Sequence, residues 1–259
     1  MDTVGDLART LILRTHQTRL NRDMDRLGVE IATGFVRDPA RHLGGDVSGL
    51  LEIDRTLARL ETYRVNTTEA SFLASTMQTT LDEIQSRTET LSQVLLSADL
   101  TVTREMFETM SGEAEGVFSQ TLNALNRSVG GRFLFSGTAT DTPAVIGGDE
   151  MLTELRTALA GLTTAADIDA ALGDWFDTPG GGFESTGYTG STNNLAPLRL
   201  GKTESTSIDI RADDQVFRDT LKSAAKAALA TDPGLGLSID VQTDLLTQAA
   251  SELVYQQAG

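Results

Sequence analysis

Gly201-Lys202-Thr203 is the tripeptide that ends a phosphate-binding loop, where backbone N–H groups cradle phosphates and the lysine meets their charge. The full pattern needs a glycine five residues earlier. That position is Ala196, and Pro197 then opens an apolar, strand-like run, so the tripeptide reads as a hairpin turn. His16 and His42 are the two histidines, with no HExxH pattern and no cysteine in the chain, which leaves metal ligation and histidine-assisted nucleophilic attack without local support. Acids cluster at Asp149-Glu150 and at Asp167, Asp169 and Asp174, but none follows the loop pattern that presents oxygens around Ca²⁺. Asn66-Thr67-Thr68 and Asn126-Arg127-Ser128 match the glycosylation tripeptide inside helical patterns and are set aside. The 37 acids supply carboxylate pairs everywhere, and no spacing singles out two for acid/base work. The expectation is a protein with no catalytic residues, no metal site and no cofactor.

Composition narrows the class further. The 259 residues suffice for one or two domains with a real core. A net charge of −16 argues against a nucleic-acid partner or an anionic membrane surface, either of which needs a basic face. Without cysteine the fold must hold by packing alone. No apolar run approaches the length of a membrane span, and the start, MDTVGDLARTLILRTHQ, has only Leu11 to Leu13 as an uninterrupted apolar stretch, unlike a cleavable signal. Residues 1–64 hold ten Arg and ten acids, so the whole negative balance lies in residues 65–259. Every cation in that first part is Arg, the residue suited to packed ion pairs, which hints at subunit packing.

These properties must be carried by helices. Leu13, Leu20, Met24, Leu27 and Ile31 fall at spacings of seven, four, three and four, the seam of a coiled-coil helix interrupted only by Gln17. Gly34 stands at its C′ position, and Asp38-Pro39 with Gly44-Gly45 makes a turn over 35–48. A second stripe runs through Leu50, Ile53, Leu57 and Leu60. It resumes at Ala74, Met77, Leu81, Ile84, Leu91 and Leu95, which predicts one helix far longer than the usual ~10–14 residues. After capping residues at Asp99 to Thr103, Phe107, Met110, Ala114, Phe118, Leu122, Leu125 and Val129 continue the period, predicting a third helix over 104–129.

Gly130-Gly131 ends that pattern, and residues 130–201 hold thirteen of the 24 Gly. Here the spacing predicts a mixed, loop-rich head with one helix over 149–162 and a β-hairpin joining Leu198 and Leu200 to Ile208 and Ile210. Helices follow over 216–230 and from a Ser238 cap through Tyr255. The helices before the head outnumber those after it, so part of the apolar stripe needs cover from another subunit or from a further C-terminal segment. At the entrance to the head, Gly131, Arg132, Phe133, Phe135, Ser136, Gly137 and Thr138 form a junction. Its glycines allow positive φ as the helix ends, and Phe133 and Phe135 point one way in an extended stretch to plug the head's base.

GGRFLFSGT at 130–138 resembles a signature of the bacterial flagellin and hook-associated protein family, most closely its hook-filament junction members. LGVEIATG at 27–34, before Asp38-Pro39, and DIRADDQVFRDTLKSAAKAALA at 209–230 are similar to the family's first helix and its return helix from head to rod. Residues 139–200 have no counterpart, as suits a variable head. The first residues and the short turn at 35–46 differ from the family's commoner form. The family's pattern also ends in a long helix paired with the first, and this sequence stops at Gly259 without it, which leaves a fragment and a natural end as alternatives.

The resemblance implies a mainly α fold: a long-helix coiled-coil rod, flagellin-like, with a smaller mixed α/β head inserted. Residues 1–34 would be the polymer-core helix, 35–48 the turn, 49–129 with 208–259 the rod, and 130–207 the head. Leu13, Leu20, Met24, Leu27 and Ile31 would form the subunit-packing seam. Ile53, Leu57, Leu60, Leu81, Ile84, Leu91, Leu95, Phe118, Leu122 and Leu125 would form the rod core. The implied function is a non-enzymatic adapter joining the hook-associated ring to the flagellin filament; a filament subunit and a cytoplasmic helical scaffold are the alternatives. Implied partners are further copies in a ring, a neighbouring hook-associated protein, flagellin and an export chaperone, with no nucleic acid and no membrane insertion. The implied location is extracellular, in the flagellum, reached through the flagellar secretion apparatus without a cleaved signal.

Overall fold

The computed structural model describes residues 3–97 and 103–258. The chain is mainly α-helical: α1 (Thr3–Thr33), α2 (Pro39–His42), α3 (Ser48–Leu95), α4 (Arg104–Leu125), β1 (Ser128–Val129), β2 (Arg132–Phe133), α5 (Gly148–Leu159), α6 (Ala165–Asp177), β3 (Leu198–Arg199), β4 (Ser205–Thr206), α7 (Gln215–Leu229) and α8 (Ile239–Ala258). It divides into two units, Met1–Thr62 and Tyr63–Gly259.

The first unit holds α1, α2 and the start of α3. Gly34 adopts φ +70° and its N–H closes α1 on the Glu30 carbonyl at 2.8 Å, the helix stop its position predicts. The expected turn contains α2, which starts at Pro39 because Asp38 accepts the Arg41 N–H at 3.1 Å and proline lacks only a donor the first turn cannot use. Among the described side chains of this unit none is buried.

The second unit has a continuous core centred on α7, which packs against α4, α6 and α8. Its sequence AAKAALA puts small side chains on nearly every face, with Ala224, Ala225, Ala227 and Ala228 all buried, so neighbouring helices can approach closely. α4 meets it with Phe107, Met110, Ala114, Phe118, Leu122 and Leu125 at spacings of three and four. α8 adds Leu245, Leu246, Ala249, Ala250 and Leu253, and the part of α3 beyond Tyr63 adds Met77, Ile84, Leu91 and Leu95. By water-to-oil transfer, each buried Leu or Phe contributes about 1.5–3 kcal/mol.

Several boundaries differ from the sequence expectations. α4 ends at Leu125 rather than at 129, because the Asn126 side chain turns to the backbone of Val145 and Ser128-Val129 pair with Arg132-Phe133. Gly130 (φ +60°) and Gly131 (φ +79°) are therefore the two central residues of a tight hairpin, not a helix stop. The second hairpin pairs Leu198 with Thr206 and Arg199 with Ser205 instead of reaching Ile208 and Ile210. The N–H groups of Leu200 and Gly201 both bond the Glu204 carbonyl, at 3.0 and 3.1 Å, and close the turn early. α6 is an unexpected helix, started where Thr164 accepts the Asp167 N–H at 3.1 Å. Of the capping segment expected at Asp99 to Thr103, all but Thr103 lies outside the described residues.

Candidate assembly surface and head junction

The seam residues Leu13, Leu20, Met24, Leu27 and Ile31 share one side of α1, as a seven-residue repeat on a helix requires. All five are exposed, from 49% at Leu27 to 82% at Ile31. Ile53, Leu57 and Leu60, which the sequence places in the rod core, lie in the first unit and are exposed too. No described element of that unit covers them. Leu81 is half-buried against the core cluster, while Ile84, Leu91, Leu95, Phe118, Leu122 and Leu125 are buried within it. Among the described residues, α1 and the start of α3 thus leave the seam and Ile53, Leu57 and Leu60 exposed.

The junction motif is built differently from its sequence reading. Phe133 ends β2 half-buried, whereas Leu134 and Phe135 are both buried, so the strand alternation stops there. Phe135 meets Phe217 of α7 edge-on with ring centroids 6.0 Å apart, and its carbonyl accepts the Ala212 N–H at 3.0 Å. Ser136 is buried, its hydroxyl donating to the Thr142 carbonyl at 2.8 Å. Gly137 has φ +59° and fits against the carbonyls of Ser191 and Asn193, where any Cβ would collide. Thr138 donates its hydroxyl to Ser191 at 2.7 Å and its N–H to Asn193 at 3.0 Å. Arg132 reaches Glu69 of α3 at 3.5 Å. The motif thus ties α7, the head loop at 191–193 and α3 to the end of α4.

Charged groups reinforce the same region. Arg127, just after α4, donates to Glu83 at 2.6 Å and to Thr80 at 3.1 Å across to α3. Hydrogen bonds from Arg87 and then Arg127 hold the Glu83 carboxyl below its ordinary range. Lys226, its side chain fully buried in α7, pairs with Asp169 of α6 at 2.5 Å and with Glu252 of α8. In the head, Trp175, Phe176, Phe183 and Tyr188 form an aromatic cluster. Burial, and then the nearby Asp213, pushes the Tyr188 phenol up to about 12, so it stays protonated and donates to the Ser191 carbonyl at 2.8 Å. Among the described residues no group of three His, Asp or Glu side chains is placed to hold a metal ion, and no helix is long and apolar enough to cross a membrane.

No family model matches the chain, and no curated protein matches it in sequence. Two solved structures do match in shape. FlgL from Bacillus cereus superposes with a TM-score of 0.50 over 82% of this chain and 87% of its own, at 13% identity. The chain has a FlgL-like fold. A protein from Vibrio parahaemolyticus described as a "putative flagellar hook-associated protein" covers 86% of this chain and 88% of its own, at 16% identity; its TM-score of 0.49 adds nothing to that assignment.

Two features of this FlgL-like chain escaped the sequence reading. The Asn126 clamp on Val145 carried the glycosylation pattern Asn-x-Ser but no sign of its partner nineteen residues on. Thr164-x-x-Asp167 is a capping signal that did mark the start of α6, hidden in a stretch whose glycine content reads as loop.

Proposed function

We propose that the chain is a non-enzymatic structural subunit of the bacterial flagellum, seated at the hook-filament junction as an adapter between the hook-associated ring and the flagellin filament. One observation carries this reading: a FlgL-like fold in which α1 and the start of α3 hold an apolar seam that no described residue buries. A subunit of that design does its work by geometry. Its seam is covered only when neighbours arrive, and its cored unit, tied at the junction motif, fixes where the head stands. The partners on this reading are further copies in a ring, a hook-associated neighbour, flagellin and an export chaperone. The location is the extracellular flagellum, reached through the flagellar secretion channel. The domain division that follows has residues 1–34 in the polymer core, 35–48 as a turn, 49–129 with 208–259 as rod, and 130–207 as head.

The test is electron microscopy of cells lacking the gene, with flagellin assayed in the medium. Bare hooks and shed flagellin are the expected result. Normal filaments in the deletion sink the adapter role, and labelled protein along the whole filament length in the parent assigns it to the filament instead. Retention of all the protein in the cytoplasm favours a scaffold.

A further inference from the structure

We infer that the arginine face of α1 docks on the glutamate face of α4 in a second copy of this chain; this deepens the assembly role proposed above and rests on it. Arg14, Arg19, Arg22, Arg26, Arg37 and Arg41 line one open groove of the first unit, with Asp23, Asp25 and Asp38 among them. Of these arginine side chains only Arg26 makes an ion pair among the described residues, at 3.4 Å from Asp23 and 3.8 Å from Glu30. Unpaired guanidinium groups in such number suit a carboxylate surface.

The chain itself supplies that surface. Residues 1–62 hold nine Arg and ten acids, which leaves twelve cations against 27 acids in the rest. On α4, Glu105 is exposed opposite the buried stripe, Glu108 and Glu115 are exposed along one flank of it and Glu113 along the other, and none has an ion pair among the described residues. Gly112 lies between Glu108 and Glu115 on the same face, and Gly116 beside it. A Cβ at Gly112 would meet nothing within 4 Å, so internal packing does not demand glycine there. Glycine in a helix interior weakens it relative to alanine. Its presence leaves a shallow track between glutamates into which another helix can settle closely.

The two faces also match in spacing. Arg19 and Arg26 are seven residues apart, as are Glu108 and Glu115, and seven residues span about 10 Å of helix. Arg22 then falls opposite the glycine track. The arginine face lies on the other side of α1 from the Leu13–Ile31 seam, so one helix can engage two neighbours at once.

Sedimentation equilibrium of the purified full chain at low ionic strength tests the pairing. Self-association should weaken about tenfold or more in Arg19→Glu/Arg22→Glu/Arg26→Glu and in Glu105→Arg/Glu108→Arg/Glu115→Arg, return when one chain carries both sets, and fall as salt is raised. Gly112→Gln, which keeps the charges, should weaken it by blocking the track. These positions are exposed except Arg26, which is partly buried beside Asp23 and Glu30, so unchanged helical circular dichroism, checked also in Arg19→Glu/Arg22→Glu alone, separates lost docking from lost folding. A wild-type chain that remains monomeric, a reversal without effect on either face, or a double reversal no better than the singles overturns the inference. So does an arginine reversal that acts while the glutamate reversal does not, since the groove would then serve another acidic partner. The adapter reading fails separately, by normal filaments in the deletion strain.

Discussion

Asn126 holds the backbone of Val145 by both of its polar groups. Its Nδ2 donates to the Val145 carbonyl at 2.8 Å and its Oδ1 accepts the Val145 N–H at 3.0 Å. The amide thus mimics one rung of a β-ladder and fastens the end of α4 to the first loop of the head. Asn126→Ala leaves both groups of a buried residue without partners, and about 2–4 kcal/mol of stability should be lost in denaturant unfolding. Asn126→Asp keeps the acceptor and should cost less; equal losses in the two variants would contradict the clamp.

Leu27→Asp and Leu246→Ala should separate assembly from folding. Leu27 is exposed, so the charge should leave the melting temperature of the purified chain unchanged while blocking incorporation, where the seam is covered. Leu246 is fully buried between helices, and its truncation should cost about 2–5 kcal/mol. Normal incorporation of the Leu27→Asp chain into flagella refutes the seam assignment.

Asp177 and Lys222 make the stability pH-dependent in a defined way. Burial raises the Asp177 carboxyl, but hydrogen bonds from Lys222 at 2.6 Å and Gln215 at 3.0 Å outweigh it and hold the group below its ordinary value of 3.8. Burial lowers the Lys222 ammonium, and the Asp177 pairing outweighs that and raises it above 10.5. The depressed acid stabilises the fold above its ordinary value and ceases to as pH falls through its folded value. The raised base stabilises it below its ordinary value and ceases to as pH rises through its folded value. The stability gap between wild type and Asp177→Asn should therefore be flat near neutrality and close in acid, and the gap for Lys222→Met should close in alkali. Gaps independent of pH would rule the pair out.

Gly137→Ala and Gly131→Ala differ in what the new methyl meets. Both positions have positive φ, which costs an L-residue about 1–2 kcal/mol. At Gly131 the space is open, whereas at Gly137 the methyl runs into the carbonyls of Ser191 and Asn193. Gly137→Ala should be the more damaging in thermal unfolding, and it should loosen amide protection at Thr138 and Ser191, whose N–H groups bond across that contact. Matching melting temperatures for the two variants would contradict the close approach.

Helices were legible where the core stripe repeats locally. Phe107 to Leu125 on α4 and Met77 to Leu95 on α3 announce their buried faces because spacing of three and four places them on one side. At the α4 end Val129 continues the period by chance, while the residue that stops the helix acts through Val145, a contact no local pattern encodes. Ile53, Leu57 and Leu60 show the complementary limit. Their periodicity declares a packing face, but whether the partner lies in the same chain is not a property of the spacing. Lys226 was invisible for a similar reason: Asp169 and Glu252 come from two other helices and meet it only in the folded core.

The coreless first unit also sets the order in which the chain yields to a pull. Segments without buried contacts open at the low end of a protein's range of local unfolding free energies. A load applied at the N-terminus would unwind α1, α2 and the start of α3 turn by turn, with little resistance at any step. Past Tyr63 the same helix runs into the packed unit, and further extension must break that core at once. The chain is therefore soft at one end and brittle at the other, with α3 carrying the boundary between them.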